Sequence, residues 1–175
     1  EADEFDRSFL HLSPYASIIT AADPDHLDIY GTAEQFKEGF RQFAMKLDPN
    51  GICLQKEGLN LQSLGKTFTY AVDSETADYA VTNFSWLDGF LCGDVRLKNT
   101  WWKEVKFGLP GIHNAENALA CIGLLHELGM EEKTIREGLK NFRGVKRRFE
   151  YIIRTEKLVY VDDYAHHPEE IKEKN

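Results

Sequence analysis

The chain has 175 residues, 42% of them hydrophobic and 29% charged, which suits one sizeable domain with a real core. Its formal net charge of −8 argues against a nucleic-acid binder, whose phosphate contacts need a basic face. No apolar run approaches the roughly 20 residues that span a bilayer. The three cysteines, Cys53, Cys92 and Cys121, are odd in number and lack C-x-x-C spacing, so buried thiols are expected rather than a disulfide framework or zinc site. With no charged-then-apolar signal segment, a reducing, cytoplasmic compartment is expected.

In chain order, residues 16–21 (ASIITA) read as a short buried strand and 23–28 as a polar loop. Thr32 can cap a helix in which Phe36, Phe40, Phe43 and Leu47 recur at helical spacing, and Asp48-Pro-Asn-Gly51 is a turn that ends it. Residues 52–54 and 68–72 read as strands. The stretch 79–109, aromatic and β-branched, broken at Asp88-Gly89 and Lys98-Asn99, reads as antiparallel hairpins. Leu109-Pro-Gly111 then precedes a helix burying Ala118, Leu119, Ile122 and Leu125 and stopping at Gly129. A shorter helix uses Ile135, Leu139 and Phe142 and ends near Gly144. Residues 149–154 and 157–162 read as a closing strand pair. The expectation is an α/β fold: a mostly parallel central sheet flanked by helices, with an antiparallel hairpin-rich subregion.

Several polar clusters stand beside these hydrophobic runs. Glu1-Ala-Asp-Glu-Phe-Asp6 is either a solvated acidic turn or a Mg²⁺ site, since hard cations take carboxylate oxygens. His26 is either a surface residue or a metal ligand at the same sheet edge. Asn114 and Asn117, beside His113 and after Gly111, either cap a helix or offer the paired donor and acceptor that an adenine edge requires. Arg147-Arg148 is either an exposed pair or a phosphate clamp. Asp162-Asp163-Tyr164-Ala165-His166-His167 follows an apolar strand, at a carboxyl end where such folds place active sites. A zinc or di-metal hydrolase built on Asp163, His166 and His167 finds no supporting ligand spacing. Gly65-Lys66-Thr67 imitates a phosphate loop, but the position five residues earlier is Asn60 and a strand, not a helix, follows. It is rejected.

Taken in order, Glu1-Ala-Asp-Glu-Phe-Asp-Arg-Ser-Phe-Leu-His-Leu12, Asp25-His26-Leu27-Asp28, Gly111-Ile-His-Asn-Ala-Glu-Asn-Ala118, Gly144-Val-Lys-Arg-Arg-Phe149 and Val161-Asp-Asp-Tyr-Ala-His-His-Pro168 resemble the motif series of the Mur ligases. The resemblance implies an ATP-dependent ligase of peptidoglycan synthesis, with UDP-N-acetylmuramate and L-alanine as substrates. By it, Glu1 and His26 would bind Mg²⁺, and Asn114 and Asn117, with His113 beside them, the adenine end of ATP. Arg148 would meet the phosphates, Asp163 would lie near the ribose or metal, and Tyr164 and His166 would face the reacting atoms. Residues 1–162 are then expected to be the central domain without its phosphate-loop part, and 163–175 the start of the C-terminal domain. Both ends are expected to be cut, and the piece alone inactive. A ligase attaching a recycled tripeptide to the same UDP-sugar and a non-catalytic nucleotide-binding module are the alternatives. Oligomeric state leaves no signature.

Overall fold

The computed structural model describes residues 6–23, 27–146, 150–155 and 157–162. A 3-10 turn (Ser8–His11) leads into β1 (Ala16–Ile19), followed by a short helix α1 (Leu27–Tyr30) and α2 (Ala33–Ala44). Then come β2 (Ile52–Lys56), β3 (Lys66–Val72), β4 (Tyr79–Leu87), β5 (Phe90–Leu97) and β6 (Thr100–Phe107). Two helices, α3 (Ile112–Glu127) and α4 (Glu132–Asn141), precede a separate two-stranded antiparallel ribbon of β7 (Glu150–Arg154) and β8 (Val159–Asp162).

The main sheet runs in sequence order from β1 to β6, parallel through β4 and antiparallel beyond it. β1 and β2 lie between two cores, and β2 accordingly opens with a continuous apolar run, whereas β3 alternates apolar with polar residues. Ile19 and Cys53 turn to a core shared with Phe9, Phe43, Ala44 and Leu47. Ile18 and Leu54 turn the other way, to a larger core with Tyr70, Tyr79, Val81, Leu119 and Ile122. Each fully buried Leu or Ile here stabilises by about 1.5–3 kcal/mol relative to exposure. In α2, Thr32 accepts from the Gln35 N–H at 3.2 Å, the cap its sequence suggests. The turn at Asp48 closes as expected, with the Asn50 N–H on Asp48 Oδ1 at 2.7 Å and the Gly51 N–H on Asp48 O at 2.7 Å.

Parallel neighbours normally need a crossover of a dozen residues or more. Residues 73–78 join β3 to β4 with less, because the register is offset: Tyr79 stands beside Tyr70. Asp78 holds the link by accepting from Thr69 N at 2.8 Å and Thr69 Oγ1 at 3.1 Å. Arg96 donates to the Ser74 and Ala77 carbonyls at 3.0 and 2.8 Å. The offset carries the later part of β4, with β5 and β6, past the carboxyl ends of β1 to β3.

Three expectations need correction. The segment after β1 is not all loop, because residues 27–30 form α1. Phe142 is 48% exposed at the end of α4 instead of packing inward. Cys53 and Cys92 are buried, as expected, but Cys121 lies on the exposed side of α3.

Candidate functional site

α3 runs against the direction of the parallel strands. Near its start, Glu116 Oε2 accepts from Lys56 Nζ at 3.0 Å, and Lys56 is the last residue of β2. Further on, Gly123 packs so closely on the sheet that a Cβ there would lie 2.7 Å from Leu54 Cδ2 and 3.1 Å from Tyr79 Cγ. At its far end, Glu127 takes hydrogen bonds from the Tyr79 hydroxyl and the Lys98 ammonium. The N-terminus of α3 therefore sits over the carboxyl ends of the parallel strands, where open α/β sheets place their ligands.

Gly111 makes the entry: its φ of 97° lies in a region that favours glycine, and the helix begins one residue later. No side chain caps this terminus, so capping is not the role of the two amides. Asn114, half-buried, donates Nδ2 to the Pro110 carbonyl at 2.7 Å, which ties the Leu109-Pro-Gly turn to the helix. Asn117, in the second turn rather than the first, donates Nδ2 to His113 Nε2 at 3.2 Å. Each amide thus has one donor engaged locally, and Ala115 between them is fully buried. His113, Asn114 and Asn117 are the sequence-derived candidates that the structure brings together.

Glu1, His26, Arg148, Asp163, Tyr164 and His166 lie outside the described residues. Of the acidic opening only Asp6 is described; its carboxylate accepts from the Ser8 N–H at 2.9 Å, and hydrogen bonding to Ser8 holds it below the ordinary aspartate value. Among the described residues no group of three or more His, Cys, Asp or Glu side chains could hold a metal ion. Gly65-Lys66-Thr67 is structural, as expected. Lys66 opens β3, and a Cβ on Gly65 would lie 2.4 Å from the Gly51 carbonyl, so close backbone approach accounts for the glycine.

Sequence reasoning missed two features of this edge. One is the Lys56/Glu116 pair, which joins positions too far apart for any local pattern to show. The other is a cavity of about 290 Å³ beside the carboxyl end of β1, walled by Phe9, Phe36, Phe40 and Phe43 and reaching Thr20 and Asp23. Its aromatic wall is tight, with ring centroids 5.1–5.4 Å apart. The helical spacing of the phenylalanines was the only signal for it.

A mostly parallel sheet whose carboxyl edge receives an amide-bearing helix start defines the class of the fold, an α/β domain. The chain belongs to the Mur ligase family: the family model described as Mur ligase middle domain matches residues 2–125. It is 43% identical over 177 residues to a UDP-N-acetylmuramate–L-alanine ligase of Cytophaga hutchinsonii, covering 98% of this chain and 37% of that protein. A Porphyromonas gingivalis protein of the same name is 42% identical, with 98% and 38% covered. Among solved structures, a UDP-N-acetylmuramate-alanine ligase from Thermotoga maritima matches with a TM-score of 0.84 at 32% identity, over 99% of this chain and 40% of that one. The chain thus spans less than two fifths of the length of the curated relatives just named.

Proposed function

We propose that this chain is the ATP-handling middle part of a ligase that joins L-alanine to UDP-N-acetylmuramate in peptidoglycan synthesis. The observation that carries the reading is the 43% identity, sustained over nearly the whole chain, to a protein named for that reaction. A likeness to the murein peptide ligase of Psychrobacter arcticus, at 22% identity and a TM-score of 0.65, is one of fold alone and does not favour the tripeptide alternative.

On this reading residues 1–162 form the middle domain and 163–175 open the next, and the protein works in the cytoplasm. A carboxylate is a poor acylating agent for an amine, so ATP transfers its γ-phosphoryl group to the lactyl carboxylate, leaving ADP and an acyl phosphate, from which the amine of L-alanine then displaces phosphate to form the amide. Asn114 and Asn117, with His113 alongside, hold the adenine end. Arg148 faces the phosphates, Asp163 the ribose or metal, and Tyr164 and His166 the reacting atoms. Glu1 and His26 are the proposed Mg²⁺ ligands, and a divalent cation there would offset the repulsion between two anionic substrates. The catalysis asked of the chain is mostly positioning and charge neutralisation, as in other phosphoryl transfers.

Phosphate release by the intact protein with ATP and UDP-N-acetylmuramate, comparing L-alanine with the tripeptide as acceptor, tests the reading. Alanine-dependent release is expected; release stimulated only by the tripeptide would replace this reading with the recycling one. The isolated 175 residues are expected to show no ligation, and alanine-dependent turnover by them would overturn the assignment to a partial domain.

A further inference from the structure

Between Asn114 and Asn117 stands a residue that the adenine reading does not use. Glu116 keeps only 14% of its side chain exposed, and its carboxylate meets Lys56 at 3.0 Å, a lysine that is itself 44% exposed. Its other neighbourhood is unfavourable to charge: Tyr70 is buried close by, and burial together with the Glu116 charge pushes that phenol well above its ordinary value. The lysine end of the pair is open to solvent and its charge is partly screened, so what the pair offers is fixed geometry more than stability.

The pair also controls geometry. Which way Asn114 and Asn117 point depends on the rotation of α3 about its axis. A rotation of about 20° would move an amide lying roughly 6 Å from the axis by about 2 Å, enough to break a hydrogen bond. Glu127 fixes the far end of α3 through Tyr79 and Lys98. At the near end, Lys56/Glu116 is the ion pair that joins the first two turns to the sheet among the described residues. Within the first two turns Ala115 and Leu119 are the buried side chains, and the ion pair adds a polar tie beside them.

We propose that Lys56 and Glu116 are positioning residues of the nucleotide site, locking the start of α3 to the carboxyl end of β2 so that Asn114 and Asn117 hold their register toward the base. This rests on the reading of that helix end as the adenine site. Neither residue touches the reacting atoms; each acts through the helix.

The test is MgATP affinity by titration calorimetry, with KM and kcat, in the intact ligase, on Asn114→Ala, Lys56→Met, Lys56→Arg, Glu116→Gln and the charge-swapped double variant Lys56→Glu/Glu116→Lys, each checked by thermal melting. Lys56→Met and Glu116→Gln are expected to weaken ATP binding about tenfold while kcat at saturating ATP stays within about twofold. Lys56→Arg keeps the pair and should bind nearly as the wild type, and the swap should recover most of the loss. Unchanged affinity in Lys56→Met and Glu116→Gln would overturn the proposal. So would a swap as weak as Lys56→Met, because the lysine charge would then be meeting the nucleotide itself. If Asn114→Ala binds ATP normally, the adenine reading fails, and this proposal fails with it.

Discussion

At its C-terminal end α3 closes its polar groups on one another, and at its N-terminal end it presents them at the sheet edge. Glu127 is 12% exposed and takes hydrogen bonds from a fully buried Tyr79 hydroxyl and from Lys98. The same lysine lies 3.9 Å from the centroid of Phe68, and His126 sits edge-on to Tyr79 and Trp102. The first two turns instead carry a glycine entry, no side-chain cap, and two amides with only one donor each engaged. One helix therefore has an anchoring end and a presenting end. Placing a site on a packed helix in this way holds it more accurately than a loop could.

The largest effect should come from breaking the anchor. Glu127→Ala leaves the buried Tyr79 hydroxyl and Lys98 without their acceptor, and stability should fall by about 2–3 kcal/mol in chemical denaturation. A loss below about 0.5 kcal/mol would mean that the C-terminal end is not an anchor. A smaller effect separates the wild type from Glu127→Gln in acid. Burial pushes the Glu127 carboxyl up, but the hydrogen bonds from Lys98 and Tyr79 and the charge of Lys98 outweigh it, so it lies below the ordinary 4.5. A lowered folded value stabilises the fold above the ordinary one and loses that contribution as pH falls through the folded value. The wild type should therefore lose stability more steeply than Glu127→Gln as pH drops below about 4.5, and parallel acid limbs would contradict the ion pair. The smallest effect concerns the middle of the helix. Cys121 should react with a thiol reagent in the native state, whereas Cys53 and Cys92 should wait for unfolding, with no more than about 0.5 kcal/mol lost on Cys121→Ser. Native protection of Cys121 would show that its face of α3 is covered.

Much of this architecture is legible in the sequence because it is written in local patterns. The Thr32 cap, the Asp48 turn, the hairpins broken at Asp88-Gly89 and Lys98-Asn99, and the helix opened by Leu109-Pro-Gly111 all rest on neighbouring residues. The false phosphate loop at Gly65 could be dismissed for the same reason, since the strand after it was visible. What escaped is non-local. The parallel pairing of β3 with β4 depends on Asp78 reaching back to Thr69 and on Arg96 bracing the link from β5. Lys56 meets Glu116, and Tyr79 meets Glu127, only because α3 lies across the strands. Cys121 and Phe142 misled because apolar or thiol character does not say which side of a helix or which end of it a residue occupies. Of the candidate site, the amides were readable as a motif, but their engagement with Pro110 and His113 was not.

The presenting end is tested most directly by MgATP titration of the intact protein carrying Asn114→Ala, with Glu127→Gln as the control from the opposite end of the same helix. Asn114→Ala should weaken ATP binding about tenfold or more, the loss of one well-placed hydrogen bond, with a modest fall in melting temperature from the lost bond to the Pro110 carbonyl. Glu127→Gln should lower the melting temperature and leave ATP affinity near that of the wild type. Equal ATP affinity in Asn114→Ala and the wild type would contradict the account.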